Sequence, residues 1–261
     1  MSENDASQAF LESLPEVKPG ERFQFACHPQ VKCFNACCAD LNLMLTPYDV
    51  LRLRRGLARF GVPMTSRDFI ATHAHVCQAP DTGFPALALV MAEGAGKPCP
   101  FVRHDGCSVY PHRPGACRTY PIGRASKLGA DGGIVEQFFL VKERHCVGFL
   151  EDRHWDLDAW LSDQGLAVYN DWNDRYVRLL ARQKKAGQPV DNRRATMVLM
   201  ALYQLDSFQN FARDMGLFKR LDVPDERQAA ILEDEEAALG FALQWVELVL
   251  FGACDGLRAA P

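Results

Sequence analysis

The sequence lacks any excess of positive charge. Its 29 Lys and Arg are set against 33 Asp and Glu, a formal net charge of -4. Without a basic surplus there is little to neutralise a polyanion, so nucleic acid is not expected as a partner. Long apolar runs are missing too: no stretch approaches the ~20 residues that cross a bilayer, and no membrane role is expected. The first twenty residues carry Glu3, Asp5, Glu12 and Glu16 but no basic segment followed by an apolar one. No signal peptide is therefore expected, and a bacterial-style cytoplasmic setting is. G-x-G-x-x-G, P-loop, G-x-S-x-G and H-E-x-x-H motifs are all absent, which removes the common nucleotide, acyl-transfer and zinc-protease signatures. Gly94-Ala95-Gly96 lacks the strand-to-helix context of a nucleotide loop. There is no internal repeat.

What the chain has is cysteine. Ten occur in 261 residues, and eight fall into two clusters. The first is Cys27, Cys33, Cys37 and Cys38; the second is Cys99, Cys107 and Cys117, followed by Cys146. Structural thiols stay reduced in the cytosol, so this density argues for metal more than for disulfides. Several convergent thiolates are the usual donors for zinc or for iron–sulfur clusters. The gaps are x5, x3 and none in the first cluster, then x7, x9 and x28. They match neither a common zinc finger nor the ferredoxin run, so spacing leaves the metal open. Neighbouring side chains diverge in a strand or a helix, so one of Cys37 and Cys38 serves a different site, or the pair brackets a polynuclear centre. Cys77 and Cys254 stand apart and read as inert core thiols.

The remaining pattern predicts an α+β fold: a loop-rich, metal-organised N-terminal domain with a small antiparallel sheet, then a mostly helical region. Composition divides the chain into a flexible lead-in over 1–20, with apolar groups only from Phe10 to Leu14, a cysteine-cluster domain over 21–150 and a helical region over 151–261. Thr46, Pro47 and Asp49 signal a helix over Pro47 to Phe60, ended by Gly61. Asp49 is read as stabilising that helix. Thr65 to Asp68 repeats the capping signal, predicting a short helix from Ser66 to about His75 that carries His73 and His75. Strands are expected over Pro85 to Met91 and Gly132 to Val141, and loops at both cysteine clusters. Helical spacing then predicts helices around Leu157 to Leu161 and Val168 to Leu180, and two long ones over Met197 to Phe211 and Ile231 to Phe251.

The motifs F-x-C-x5-C-F-N-A-C-C, L-T-P-Y-D, C-P-F, G-C-S-V-Y-x-x-R-P-x-x-C-R-x-Y-P and C-x-G-F occur in order from Phe25 to Phe149. Together they resemble the YkgJ-type cysteine-cluster family, CxxCxxCC, described as a zinc- or iron-chelating domain. The first cluster departs from the short C-x2-C-x2-C-C form by its wider gaps. The resemblance implies metal chelation, and one relative type is the flagellin lysine N-methylase. The metal-ligand candidates are Cys27, Cys33, Cys37, Cys38, Cys99, Cys107, Cys117 and Cys146. Arg118 is the candidate donor to a thiolate or cluster sulfur, with Arg113 beside it. His28, His104, His112 and His145 could each replace a thiolate, and Tyr110 and Tyr120 are expected to pack over the site. The leading expectation is a cytoplasmic protein carrying a polythiolate zinc or iron–sulfur centre. A protein lysine N-methyltransferase and a zinc-stapled protein-interaction module are the alternatives, both of which would engage a protein partner or substrate.

Overall fold

The structure, a computed structural model, describes residues 14–79 and 82–257. In chain order the elements are β1 (Arg22–Gln24), β2 (Met44–Leu45), α1 (Pro47–Arg59), α2 (Ser66–His73), β3 (Ala74–Gln78), β4 (Pro85–Leu89), β5 (Val102–Arg103), β6 (Gly106–Cys107), α3 (Gly115–Thr119), β7 (Ile122–Leu128), β8 (Ile134–Leu140) and β9 (His154–Asp156). The rest is helical: α4 (Leu157–Asp163), α5 (Ala167–Ala186), α6 (Asn192–Tyr203), α7 (Leu205–Asp214), α8 (Leu217–Arg220), α9 (Asp225–Glu233) and α10 (Glu235–Phe251). The fold is α+β, with small antiparallel sheets in the N-terminal half and helices after it. Two compact units emerge, each discontinuous in sequence. The first holds the described residues up to 41 together with 91–174, and the second holds 42–90 and 175–257 as far as they are described.

The first unit is built on paired strands and aromatic rings. β7 and β8 form a hairpin in register from Ile122 opposite Leu140 to Leu128 opposite Ile134. Gly132 turns it with a φ of +82° that a side chain would resist. Of the expected lead-in, residues 1–13, and with them Phe10 to Ser13, lie outside the described residues. Pro15 and Val17 bond to β8, through Leu140 N–H to Pro15 O at 2.9 Å and Val17 N–H to Phe138 O at 2.7 Å. β1 pairs with β9, setting Phe23 opposite Trp155. Phe23, Phe25, Ile122, Phe138, Trp155 and Trp160 are buried together with Val17 and Leu157. Their rings meet edge to face, Phe25 on Trp160 at 5.7 Å and Trp155 on Trp160 at 5.1 Å, the arrangement aromatic quadrupoles favour.

The second unit pairs a three-stranded sheet, in the order β2-β4-β3, with helices. α1 begins as its sequence requires. The Thr46 hydroxyl accepts from Asp49 N–H at 3.2 Å, and the Asp49 carboxylate accepts from Thr46 N–H at 2.9 Å, a reciprocal capping box. The second helix is shorter than the reading predicts. It stops at His73, and Ala74 turns extended (φ -139°, ψ 157°) to enter β3, so His75 lies on a strand opposite Ala88. The strands over 85–89 and 134–140 belong to different sheets. Both long C-terminal helices are broken. Gln204 leaves helical geometry at φ -123°, ψ 61°, and Asp234, at φ -123°, ψ 126°, accepts from Glu236 N–H and Ala237 N–H. A good N-cap at Asp234 competes with helix continuation and wins.

Arg54 on α1 bonds Glu235 at 2.5 Å and approaches Asp206 at 3.4 Å, with its side chain only 12% exposed. Burial pushes the Asp206 carboxyl up, but the Ser66 and Ser207 amides and the Arg54 guanidinium outweigh it and hold the group below the usual value. A depressed folded-state value contributes stability that is complete above the unfolded-state value and is lost as pH falls through the folded one. The wild type should therefore lose stability below about pH 4. Asp206→Asn should cost about 2 kcal/mol at pH 7 and flatten that acid limb, as denaturant unfolding at pH 7 and pH 3 will measure.

Candidate metal centre

The chain beyond β1 runs along the segment that follows Cys146. Ala26 N–H donates to Gly148 O at 3.0 Å, and Phe25 N–H to Arg153 O at 2.8 Å. The approach is too close for a side chain: a Cβ on Gly148 would lie 2.6 Å from Ala26 O and 2.9 Å from the Phe25 ring. This contact brings Cys27 toward Cys146. The first cluster then coils in successive turns, Phe34 N–H to Val31 O at 2.8 Å, Ala36 N–H to Cys33 O at 2.9 Å and Cys38 N–H to Asn35 O at 3.0 Å. Asn35 takes the left-handed conformation, φ +68°, which Asn tolerates better than most residues. Its side-chain amide donates to Arg103 O at 2.8 Å. Val147 N–H donates to the Cys33 sulfur at 3.2 Å. As a result Cys27, Cys33, Cys37 and Cys146, with Tyr120 and His145, line one cavity of about 10 Å³. That is the space of roughly one water-sized sphere.

The other thiols reach Cys38. Ala39 bridges Pro98, and Cys99 N–H donates to Cys38 O at 2.8 Å. The short hairpin of β5 and β6 folds Cys107 opposite Val102, and Val102 N–H bonds back to Cys99 O at 3.1 Å. Gly106 makes this turn at φ +127°, with the Phe34 ring 3.2 Å from where a Cβ would stand. α3 carries Cys117. Where loops were expected at the second cluster, the chain forms this hairpin, a 3-10 turn at Tyr110–His112 and α3, because short-range bonds satisfy backbone that thiols alone would leave unpaired.

The electrostatics reflect crowding. Burial, then the neighbouring sulfurs of Cys37, Cys33 and Cys146, pushes the Cys27 thiol up to about 11. Cys38 donates a hydrogen bond toward the Cys37 sulfur, holding Cys37 down near 7 and raising Cys38 strongly. Cys38 also feels the charges of Cys117 and Cys99. Burial raises Cys99, Cys107 and Cys146. Desolvation and like charge disfavour ionisation of Cys27, Cys38, Cys99, Cys107 and Cys146, whereas the bond from Cys38 favours it at Cys37. Arg113 is buried, stacks over the Tyr110 ring at 3.8 Å and bonds the Tyr110 carbonyl and Gln164. Burial lowers its pKa, while Tyr110, Cys107 and Cys117 hold it up.

Arg118 donates to Gln164 O and Pro111 O, each at 2.7 Å, and lies over the Tyr169 ring at 4.8 Å. Its bonds fasten α3 to the segment beyond α4. His28 pairs with Gln30 and Glu151. His104 has a side chain 96% exposed, His112 is buried, and His145 pairs with Glu143 at 3.2 Å beside the cavity. Tyr110 is exposed, whereas the Tyr120 ring packs on Phe25 at 5.9 Å. Cys77 and Cys254 fall in the second unit. Sequence reasoning missed the part played by Gly148, although the Gly of C-V-G-F was the signal for it.

The donors suit a soft metal in chemistry. Thiols converge from segments more than a hundred residues apart, and the buried Tyr120 hydroxyl stands beside the Cys146 thiol. Among the described residues no group of three or more His, Cys, Asp or Glu side chains is set to hold an ion as arranged.

Residues 26–147 match the family model CxxCxxCC, described as "Putative zinc- or iron-chelating domain". The match covers a little under half of the chain. No curated protein and no solved structure matches the chain. The matched segment runs through parts of both compact units, and all eight clustered cysteines lie in the first. Gly148 stands just beyond it and still sets the Cys27–Cys146 approach. Gly148→Ala should therefore lower stability by about 1–3 kcal/mol through overpacking against Ala26 and Phe25, measured by thermal melting against a control Gly187→Ala, whose added Cβ would meet nothing within 4 Å.

Proposed function

We propose that the CxxCxxCC domain of this protein holds metal through its clustered cysteines, with zinc as the favoured ion. The observation that carries this reading is the lining of one small cavity by Cys27, Cys33, Cys37 and Cys146. These thiols come from both ends of the domain. An atom-sized cavity suits a single ion better than a polynuclear cluster, and closed all-thiolate sites are typical of structural zinc.

In this reading Cys38, Cys99, Cys107 and Cys117 are ligands as well, and Arg113 offsets thiolate charge. Val147 N–H stabilises the Cys33 sulfur, and the Tyr120 hydroxyl donates to Cys146 once that sulfur is ionised. Arg118 acts through the backbone by bracing the helix of Cys117. A bound zinc ion would supply folding free energy and hold the two cysteine segments together.

Protein purified without oxygen should contain stoichiometric zinc and no visible absorption, by metal mass spectrometry and spectrophotometry. Iron with sulfide and brown colour would replace zinc by a cluster, and absence of stoichiometric metal would overturn the reading. Because metal affinity in such sites is folding free energy, Cys37→Ser and Cys117→Ser should each lower metal content and melting temperature together.

Tyr120→Phe separates two effects. In metal-free protein it removes a buried hydroxyl whose neighbour is a weakly accepting thiol and should change stability little. In loaded protein it should weaken metal affinity about 10–100-fold, read by chelator competition.

A further inference from the structure

We propose that the cavity formed by α5, α9 and α10 binds a small molecule carrying a phosphate or carboxylate group on an apolar body, with Arg227 as the chief partner of the charged group. The site lies in the second compact unit, beyond the matched segment 26–147 in sequence, and does not depend on the metal reading.

The cavity has a volume of about 420 Å³, within the ~300–1,000 Å³ of small-molecule sites. Charge is what selects an anion. The lining holds three arginines, Arg175 and Arg178 from α5 and Arg227 from α9, against one carboxylate, that of Glu247. Arg182, from outside the lining, already pairs with Glu247 at 3.3 Å. Arg175 and Arg178 are exposed and engage other groups as well, so the decisive charge is Arg227. Among the described residues its polar and ring contacts are with neutral groups: it donates to the Gln244 side-chain carbonyl and to Gly256 O at 3.5 Å, and lies over the Phe241 ring at 5.9 Å. Arg227 is partly buried and stands in the first turn of α9, where the helix dipole disfavours a cation. Neutral acceptors orient this guanidinium without offsetting its charge, and the oxygens of a carboxylate or phosphate match its planar fork. The rest of the lining is apolar. Ala230, Ala237 and Gly240 keep the wall free of bulk, while Ile231, Phe241 and Leu243 belong to the buried core.

The test is isothermal titration calorimetry of the full-length protein with octyl phosphate, octanoate, octanol and inorganic phosphate. Octyl phosphate or octanoate should bind saturably, the tighter of the two identifying the head group. Octanol and inorganic phosphate should each bind at least about tenfold more weakly, because each lacks one half of the ligand. Arg227→Gln should weaken the tighter anion by about tenfold or more, the scale of one charge-assisted hydrogen bond. Ala237→Leu, which keeps all three arginines and fills space, should weaken it too. Arg193→Gln, at an exposed arginine outside the lining, should leave it unchanged. No saturable binding of either anion at millimolar concentration overturns the proposal. So does equal binding of octanol or of inorganic phosphate, and so does wild-type affinity in an Arg227→Gln protein that melts cooperatively. If Arg227→Gln does not fold, unchanged affinity in Ala237→Leu overturns it instead.

Discussion

Sulfur crowded against sulfur is the constraint that the first unit answers to. A thiolate is costly to bury and more costly beside another thiolate, so the clustered cysteines are stable together either as neutral thiols or around a shared cation. The raised Cys27, Cys38, Cys99, Cys107 and Cys146 are the direct expression of this. Thiols in that state contribute little to packing, so the loops that carry them must be held by other means. Backbone donors and close approaches do that, with Gly148 against Ala26 and the Pro98–Ala39 bridge as the clearest cases.

An aromatic floor supplies the rigidity that the loops lack. Phe25 is separated from Cys27 by Ala26 alone, and its ring meets Tyr120, Phe149 and Trp160. The two tryptophans are anchored by polar ends as well as by area: Trp155 Nε1–H donates to Phe25 O and Trp160 Nε1–H to Thr119 O, both at 2.9 Å. These bonds join the backbone near Cys27 and the end of α3 to β9 and α4, which follow the matched family segment in sequence. The support of the site therefore extends beyond the segment that carries its cysteines. In the second unit, Tyr176 and Tyr203 are buried with their hydroxyls 3.0 Å apart, and burial raises both. That pair satisfies its own polar atoms within a core of helices, and no thiol cluster depends on it.

Much of the local structure was legible from residue types. Thr46, Pro47 and Asp49 wrote the start of α1, and the alternation after Asp131-Gly132-Gly133 wrote β8. Caps and turns are legible because their bonds close within a few residues. The break at Asp234 was legible in principle, since Asp before Glu235 and Glu236 is a strong N-cap, but the continuous apolar pattern across it outweighed that signal. His75 was assigned to a helix because strand pairing with Ala88 is a contact that periodicity does not contain. The sheets were harder still: strands at 85–89 and 134–140 look alike in sequence, and only their partners assign them to different sheets.

By itself the sequence determined that eight cysteines fall into two clusters, that the fold is α+β and that the motifs from Phe25 to Phe149 resemble a cysteine-cluster family. Side-chain chemistry and short-range periodicity are sufficient for all three. Tertiary structure alone decided that Cys27, Cys33 and Cys37 line one cavity with Cys146, more than a hundred residues away in sequence. It also decided that 42–90 joins the C-terminal helices in one compact unit while the intervening cysteine segment belongs to the other. The reason is that such pairings are selected by backbone approach and shape complementarity between distant segments, and nothing in local composition records them.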